Sequence, residues 1–140
     1  KERPIFGIGR GNFASYTNML IAHNSAVQIG GETGLVGLFL WTALIYLCVK
    51  GVVAYWRGTE DPAEKAFCVG LILSVIGYLI SSMFVTLEYE TFYLLLAVCT
   101  VMGRCAANPV TFGTRDVIRV GAIEMVWLVV LQAFVILYLG

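Results

Sequence analysis

Apolar residues in this chain fall in long blocks separated by short polar segments. Four blocks approach the roughly 20 mostly apolar residues that a helix needs to cross the hydrocarbon of a bilayer. They cover about residues 34–53, 66–85, 87–103 and 121–139. The second block carries no charge, and the third reaches a spanning length only with the residues before Thr91. The pattern predicts an all-α protein, a polytopic membrane helix bundle with about four transmembrane helices in this segment.

The same pattern divides the chain into two regions. Residues 1–33 are richer in polar residues and glycine, and we expect them to form a loop followed by the start of a helix. Residues 34–140 hold the predicted transmembrane helices. We expect both regions to belong to a larger multi-span protein, so that the remaining helices of that chain or of a complex complete the bundle.

Composition supports the membrane prediction and excludes other classes. Of the 140 residues, 59% are hydrophobic and 13% are charged, whereas soluble domains carry about a quarter charged residues. The net charge is zero, which gives no basic surface for nucleic acid. The four cysteines show no CxxC spacing, so we predict neither a disulfide nor a metal site. We also expect no cofactor.

Basic residues predict the orientation of the spans. Six of the nine fall at the ends of the spans or in the segments between the first and second spans and between the third and fourth: Lys50, Arg57, Lys65, Arg104, Arg115 and Arg119. The segment between the second and third spans has two glutamates and no basic residue. Because cytoplasmic loops carry the excess of lysine and arginine, residues 1–33 are predicted to lie outside the cytoplasm.

A glycine-rich segment around Arg10 is the first candidate for chemistry. Gly7, Gly9 and Gly11 alternate along it. Glycine permits positive φ and close backbone approach, and successive N–H groups in such a turn can bind an anion. A dinucleotide site would also need a strand before the glycines and a helix after them, and neither is predicted. The alternative interpretation is a tight surface turn.

The second candidate is the segment that enters the first span. A helix beginning near residue 24 would place His23 or Asn24 at its N-cap, where asparagine is favoured. Asn24, Gln28 and Glu32 then follow one stripe at i, i+4 spacing. A neutral histidine is suited to act as a general base, and arginine favours anionic oxygens. The pattern therefore indicates a lipid-linked phosphate substrate, with an exposed cap at His23 as the alternative.

Together these two segments resemble the C-terminal part of the O-antigen ligase and O-antigen polymerase superfamily. The similar positions are Phe6, Gly7, Gly9, Gly11, His23, Asn24, Ser25, Glu32, Gly34, Leu35 and Gly37. The resemblance covers about the first third of the chain. It implies a multi-pass glycosyltransferase of the bacterial cytoplasmic (inner) membrane, with the His23 loop on the periplasmic side.

The resemblance also implies substrates and residue roles. The donor would be a glycan linked to undecaprenyl diphosphate, and the acceptor a hydroxyl of a glycan or lipid, with no metal involved. His23 would be the catalytic base and Arg10 a ligand of the diphosphate. Asn24 and Glu32 are further candidates for substrate binding.

Two other functions stay open from the sequence. One is a membrane transporter that uses Glu124, alone or together with Glu32, in a polar pathway, since acids inside membranes are usually functional. The other is a subunit that only packs against a larger complex.

One face of the second span consists of small residues, which are Gly70, Ser74, Gly77 and Ser81. Small residues on one face of a helix predict close contact with a partner helix.

Overall fold

The computed structural model describes residues 3–17, 24–84, 90–108 and 110–139. Within these ranges the chain is all-helical and contains no strand, which confirms the all-α part of the predicted fold class. Its five helices are α1 (Phe13–Tyr16), α2 (Ser25–Gly58), α3 (Pro62–Ser81), α4 (Glu90–Arg104) and α5 (Thr114–Leu139).

Two of the helices, α2 and α3, are long and apolar enough to cross a membrane. They contain 34 and 20 residues, with mean hydropathies of 2.0 and 1.8 in their most apolar windows. Length and composition therefore give some support to membrane association. The described part of α4 has 15 residues, and the predicted extension of this span over residues 85–89 lies outside the described residues.

Three helices begin earlier than the apolar blocks indicate, and α3 is one of them, since it begins at Pro62 rather than near residue 66. Helix α2 begins at Ser25, and the Asn24 side chain accepts a hydrogen bond from the Val27 N–H at 3.1 Å. Of the two caps that the sequence left open, His23 and Asn24, the structure therefore has Asn24. The last helix begins at Thr114 rather than near residue 121. Its N-terminus is fixed by Asp116, whose Oδ2 accepts from the Gly113 N–H at 2.9 Å.

The core forms around α2, which contacts each of the other four helices. Its centre is a set of buried residues from α2, α3 and α4: Ile45, Cys48, Val52, Cys68, Leu71, Val75, Phe92, Leu96 and Cys99. Three of the four cysteines belong to this set and are free thiols. They fill space as small apolar residues, as expected for cysteines in such surroundings.

A close backbone approach joins α2 to α4. A Cβ added at Gly103 would lie 2.8 Å from the Gly51 Cα, which only paired glycines allow. The small-residue face of α3 behaves differently. A Cβ added at Gly70 or Gly77 would meet no described atom within 4 Å. The partner helix predicted for that face is therefore not among the described helices.

A polar network holds the start of α5 against α2. Lys50 Nζ lies 2.8 Å from Asp116 Oδ2 and donates to the Thr111 carbonyl oxygen at 2.9 Å. The Tyr46 hydroxyl donates to Asp116 Oδ1 at 2.8 Å and accepts from Arg119 at 3.2 Å. Lys50, near the end of the first predicted span, therefore pairs with a buried carboxylate from another helix.

Hydrogen bonds to Asp116 favour its charged form. The backbone N–H of Gly113 contributes most, followed by Lys50 and then Tyr46, and together they hold the Asp116 pKa well below its usual range. The carboxylate therefore stays ionised at all ordinary pH values and provides a permanent anchor between the two helices.

Candidate functional site

Helix α2 is broken at Gly34. This residue has φ 70° and ψ −171°, a conformation outside the helical region that glycine adopts readily. In a continuous helix the N–H groups of Leu35 and Val36 would bond to carbonyls four residues earlier. They instead donate to the carbonyl oxygens of Pro4 and Ile5, at 2.9 and 3.3 Å.

The carbonyls released by the break are bonded as well. The Gly31 oxygen accepts from the Ile8 N–H at 3.0 Å, and the Glu32 oxygen accepts from the Gly9 N–H at 2.9 Å. Residues 4–9, which we call the glycine loop, thus replace the missing turn of helix for all four backbone groups. Irregular backbone at membrane depth is tolerated only where such groups are satisfied within the protein.

Two glycines, Gly7 and Gly34, allow the backbone of the glycine loop to contact the backbone of α2 at the break. A Cβ added at Gly7 would lie against the Glu32 carbonyl and 2.6 Å from the Gly34 nitrogen. A Cβ added at Gly34 would lie against the Ile5 carbonyl and 2.6 Å from the Gly7 nitrogen. Backbone therefore meets backbone at this point, and a side chain on either residue would separate the two segments.

The positive φ angles that glycine permits do occur in the glycine-rich segment. They are 71° at Gly7, 93° at Gly9 and 76° at Gly11. The suggested anion-binding nest is wrong for residues 7–9, because their N–H groups donate to the carbonyls of Arg3, Gly31 and Glu32. These N–H groups are already used in backbone hydrogen bonds, so the binding of an anion at this segment would depend on side chains.

The glycine loop brings Arg10 to Glu32. Both line a cavity of about 460 Å³ beside the break, together with Trp41 and Tyr93. The remaining lining residues are Ile29, Thr33, Gly37 and Leu40. Glu32 is buried, with 6% of its surface exposed, whereas Arg10 is exposed. No ion pair joins the two side chains to each other or to another described residue.

These side chains define the chemistry that the cavity can support. A guanidinium presents a planar fork of donors that fits phosphate oxygens, and a carboxylate accepts hydrogen bonds from hydroxyl groups. Trp41 and Tyr93 add aromatic surface with a polar tip, which suits a ligand that is partly apolar and partly polar. Among the described residues no group of three histidine, cysteine, aspartate or glutamate side chains could hold a metal ion.

Asn24 is used in structural hydrogen bonds. Its Oδ1 accepts from Val27, and its Nδ2 donates to the Met83 carbonyl at 3.3 Å, beyond the end of α3. The neighbouring Ser25 N–H donates to the Ser82 carbonyl at 2.9 Å. The start of α2 is therefore fixed to the end of α3. Asn24 does not line the cavity, and its predicted contact with substrate stays a prediction.

His23 lies outside the described residues, so its role as a base also stays a prediction. Its described neighbour Asn24 precedes Glu32 by eight residues, which is about 12 Å along a helix.

Sequence reasoning missed two of the features that shape the site, the helix break at Gly34 and the contribution of Tyr93. The run Gly30, Gly31 and Gly34 was a signal for the break, since glycines weaken a helix interior. Trp41 follows Gly34 by seven residues, a spacing that returns to the same helical face. Tyr93 had no signal in the sequence, because its contribution to the cavity depends on how α4 packs against α2.

No protein-family model, curated protein or solved structure matches this chain.

Proposed function

We propose that the chain is part of a membrane glycosyltransferase of the O-antigen ligase or polymerase type. It would move a glycan from an undecaprenyl-diphosphate carrier to an acceptor hydroxyl. One observation carries the proposal: the glycine loop is locked into a broken helix, and it thereby brings Arg10 and Glu32 into one cavity with Trp41 and Tyr93. A diphosphate and a sugar match this combination of a cation, a carboxylate and two aromatic rings.

The proposed arrangement has α2, α3, α4 and α5 as four transmembrane helices of a bacterial inner-membrane protein. The cavity would face the periplasm, and the basic segments after α2 and α4 would face the cytoplasm. The length of α2 supports this. In the unbroken part of α2, Leu35 and Lys50 are 15 residues apart, or about 23 Å of helix, which is most of the roughly 30 Å of bilayer hydrocarbon. The two polar sites would therefore lie near opposite surfaces.

In the proposed reaction an acceptor hydroxyl attacks the anomeric carbon of the carrier-linked sugar. A new glycosidic C–O bond forms while the C–O bond to the carrier diphosphate breaks, and His23 takes the hydroxyl proton. Arg10 stabilises the negative charge that develops on the leaving diphosphate. The Glu32 carboxylate accepts hydrogen bonds from sugar hydroxyls and so orients the ring.

The base is tested by His23→Ala in the complete protein. Because general bases contribute about 10²- to 10⁴-fold, the turnover of glycan transfer should fall by that factor while the affinity for the lipid-linked donor is kept. Donor affinity and turnover are measured separately with purified protein in vesicles. A variant that keeps full turnover would refute the assignment of His23 as the base.

The cation is tested by Arg10→Ala against a matched control, Arg3→Ala. Both arginines are exposed and belong to the same segment, but only Arg10 lines the cavity. Hydrogen bonds to charged groups contribute about 1.5–3 kcal/mol, which corresponds to donor affinity weaker by about 10- to 150-fold. Equal effects of the two substitutions would show that only the general charge of the segment matters.

A membrane transporter is the second candidate, and the broken helix favours it. Discontinuous helices line the substrate sites of many transporters, and Glu32 lies buried at such a break. A transporter moves a solute across the membrane, whereas the transferase joins a glycan to an acceptor on one side of it. Solute flux into proteoliposomes without a lipid-linked glycan would support transport, whereas transfer of the glycan without flux would support the enzyme.

A further inference from the structure

Glu124 is a buried acid that the proposed transfer reaction does not use. It has 9% of its surface exposed, and its Oε1 has no hydrogen-bond partner in the described structure. It shares a face of α5 with Asp116 and Val120, which precede it by eight and four residues and are 5% and 0% exposed. This is the face that packs on α2, the only described helix that α5 contacts.

No charged group among the described residues faces Glu124. On α2, residues 33–45 lie between Glu32 and Tyr46 and include no titratable side chain. Near α5, the end of α3 contributes Met83, which lines an apolar groove with Ile123 and Trp127. On α5 itself the closest charged side chains in sequence are Arg119 and Asp116, and both are engaged in the network with Tyr46.

The surroundings decide which ligand the carboxyl can take. An ionised carboxylate buried without a partner costs several kcal/mol, so the group must be neutralised by a ligand. A calcium or magnesium ion needs about six oxygen ligands, and no group of three acidic, histidine or cysteine side chains lies together in the described ranges. A cationic side chain from another protein would have little access, since this chain itself covers nine-tenths of Glu124. A proton needs only the one carboxyl.

We propose that Glu124 is a reversible proton-binding site on the seam between α2 and α5. The bound proton sits on the carboxyl group that α2 covers, and it leaves when water reaches the seam. This function is independent of glycan transfer, because Glu124 lies on a different helix from Arg10 and Glu32 and does not line their cavity.

Dicyclohexylcarbodiimide is a suitable probe because it is apolar and reacts with protonated carboxyl groups. The carboxyl proton moves to a carbodiimide nitrogen and the carboxylate oxygen adds to the central carbon. The acyl group then migrates to nitrogen and leaves a stable N-acylurea. The experiment treats the complete protein in vesicles across a series of pH values and locates the label by mass spectrometry. We expect labelling of Glu124 at neutral pH that declines as the pH rises.

The matched variants are Glu124→Gln and Glu60→Gln. Glu60 is an exposed acid, with 94% of its side chain accessible, so its loss should leave the Glu124 label unchanged, whereas Glu124→Gln should abolish it. Infrared spectra of the wild-type protein should also contain the C=O stretch of a protonated acid, and this band should be missing in Glu124→Gln. Absence of the label and of the band from the wild-type protein would overturn the proposal, even if the Gln variant does not fold.

Discussion

Replacing Gly7 by alanine should separate the glycine loop from helix α2. The new Cβ would lie against the Glu32 carbonyl and 2.6 Å from the Gly34 nitrogen. Both neighbours are backbone atoms and cannot rotate away. Gly11→Ala is the matched control, since Gly11 has a similar φ of 76° but no atom within 4 Å of the added Cβ.

The expected loss of unfolding free energy has two contributions. A side chain at positive φ costs roughly 1–2 kcal/mol at either position. At Gly7 the loop must also detach and give up four backbone hydrogen bonds, while a straightened α2 recovers two of its own. The net loss is about two bonds at 0.5–1.5 kcal/mol each, or about 1–3 kcal/mol. We therefore expect a loss of unfolding free energy of roughly 2–5 kcal/mol for Gly7→Ala and about 1–2 kcal/mol for Gly11→Ala.

Denaturant unfolding in detergent, followed by circular dichroism, measures both variants. Helix content before unfolding should be kept in Gly7→Ala, because α2 closes its own hydrogen bonds. Donor binding should fall with Gly7→Ala as it does with Arg10→Ala, since Arg10 is carried by the same segment. If the two glycine variants lose the same free energy and bind donor equally well, the loop does not depend on its contact with the break.

Three further predictions concern packing, pH and orientation. Gly103→Ala should lower the unfolding free energy by about 1–3 kcal/mol through overpacking against Gly51. Gly58→Ala, where an added Cβ meets no described atom within 4 Å, should be neutral or stabilising, and equal denaturation midpoints would contradict this. Because the Asp116 pKa is lowered in the folded state, its contribution to stability is full above the ordinary aspartate pKa of about 3.9 and is lost as the pH falls below that value. Melting temperatures of Asp116→Asn should therefore be lower at neutral pH and change less on acidification, and parallel curves would refute the role of the pair. Cys105 is the exposed cysteine of the four, so a membrane-impermeant maleimide should label it in inverted vesicles and not in intact cells, and the reverse would invert the proposed orientation.

Local signals in the sequence were enough to predict that the chain is all-α and that α2 begins with an N-cap near residue 24. Apolar blocks predicted an all-α chain, and Asn24 before a helical pattern predicted the N-cap. Both depend on interactions within a few residues. Positive φ at Gly7, Gly9 and Gly11 could be predicted for the same reason, since only the local backbone decides it.

Features that depend on contacts across the chain could not be predicted. The pair Lys50 and Asp116 joins residues 66 positions apart, and no local pattern indicates which lysine meets which acid. The small face of α3 predicted a close helix contact, but in the described chain that contact joins Gly51 to Gly103. The break at Gly34 needs partners from residues 4–9, and an apolar block alone indicates a continuous span.

In the membrane arrangement proposed above, the exchange of hydrogen bonds at Gly34 has a consequence for insertion during synthesis. A straight α2 satisfies its own carbonyl and N–H groups and can enter the lipid with no help from other segments. The glycine loop precedes it in the chain and can then displace two internal bonds with four new ones. The newly made protein therefore need never expose an unpaired peptide group to lipid, and the bend can be introduced after the helix has crossed.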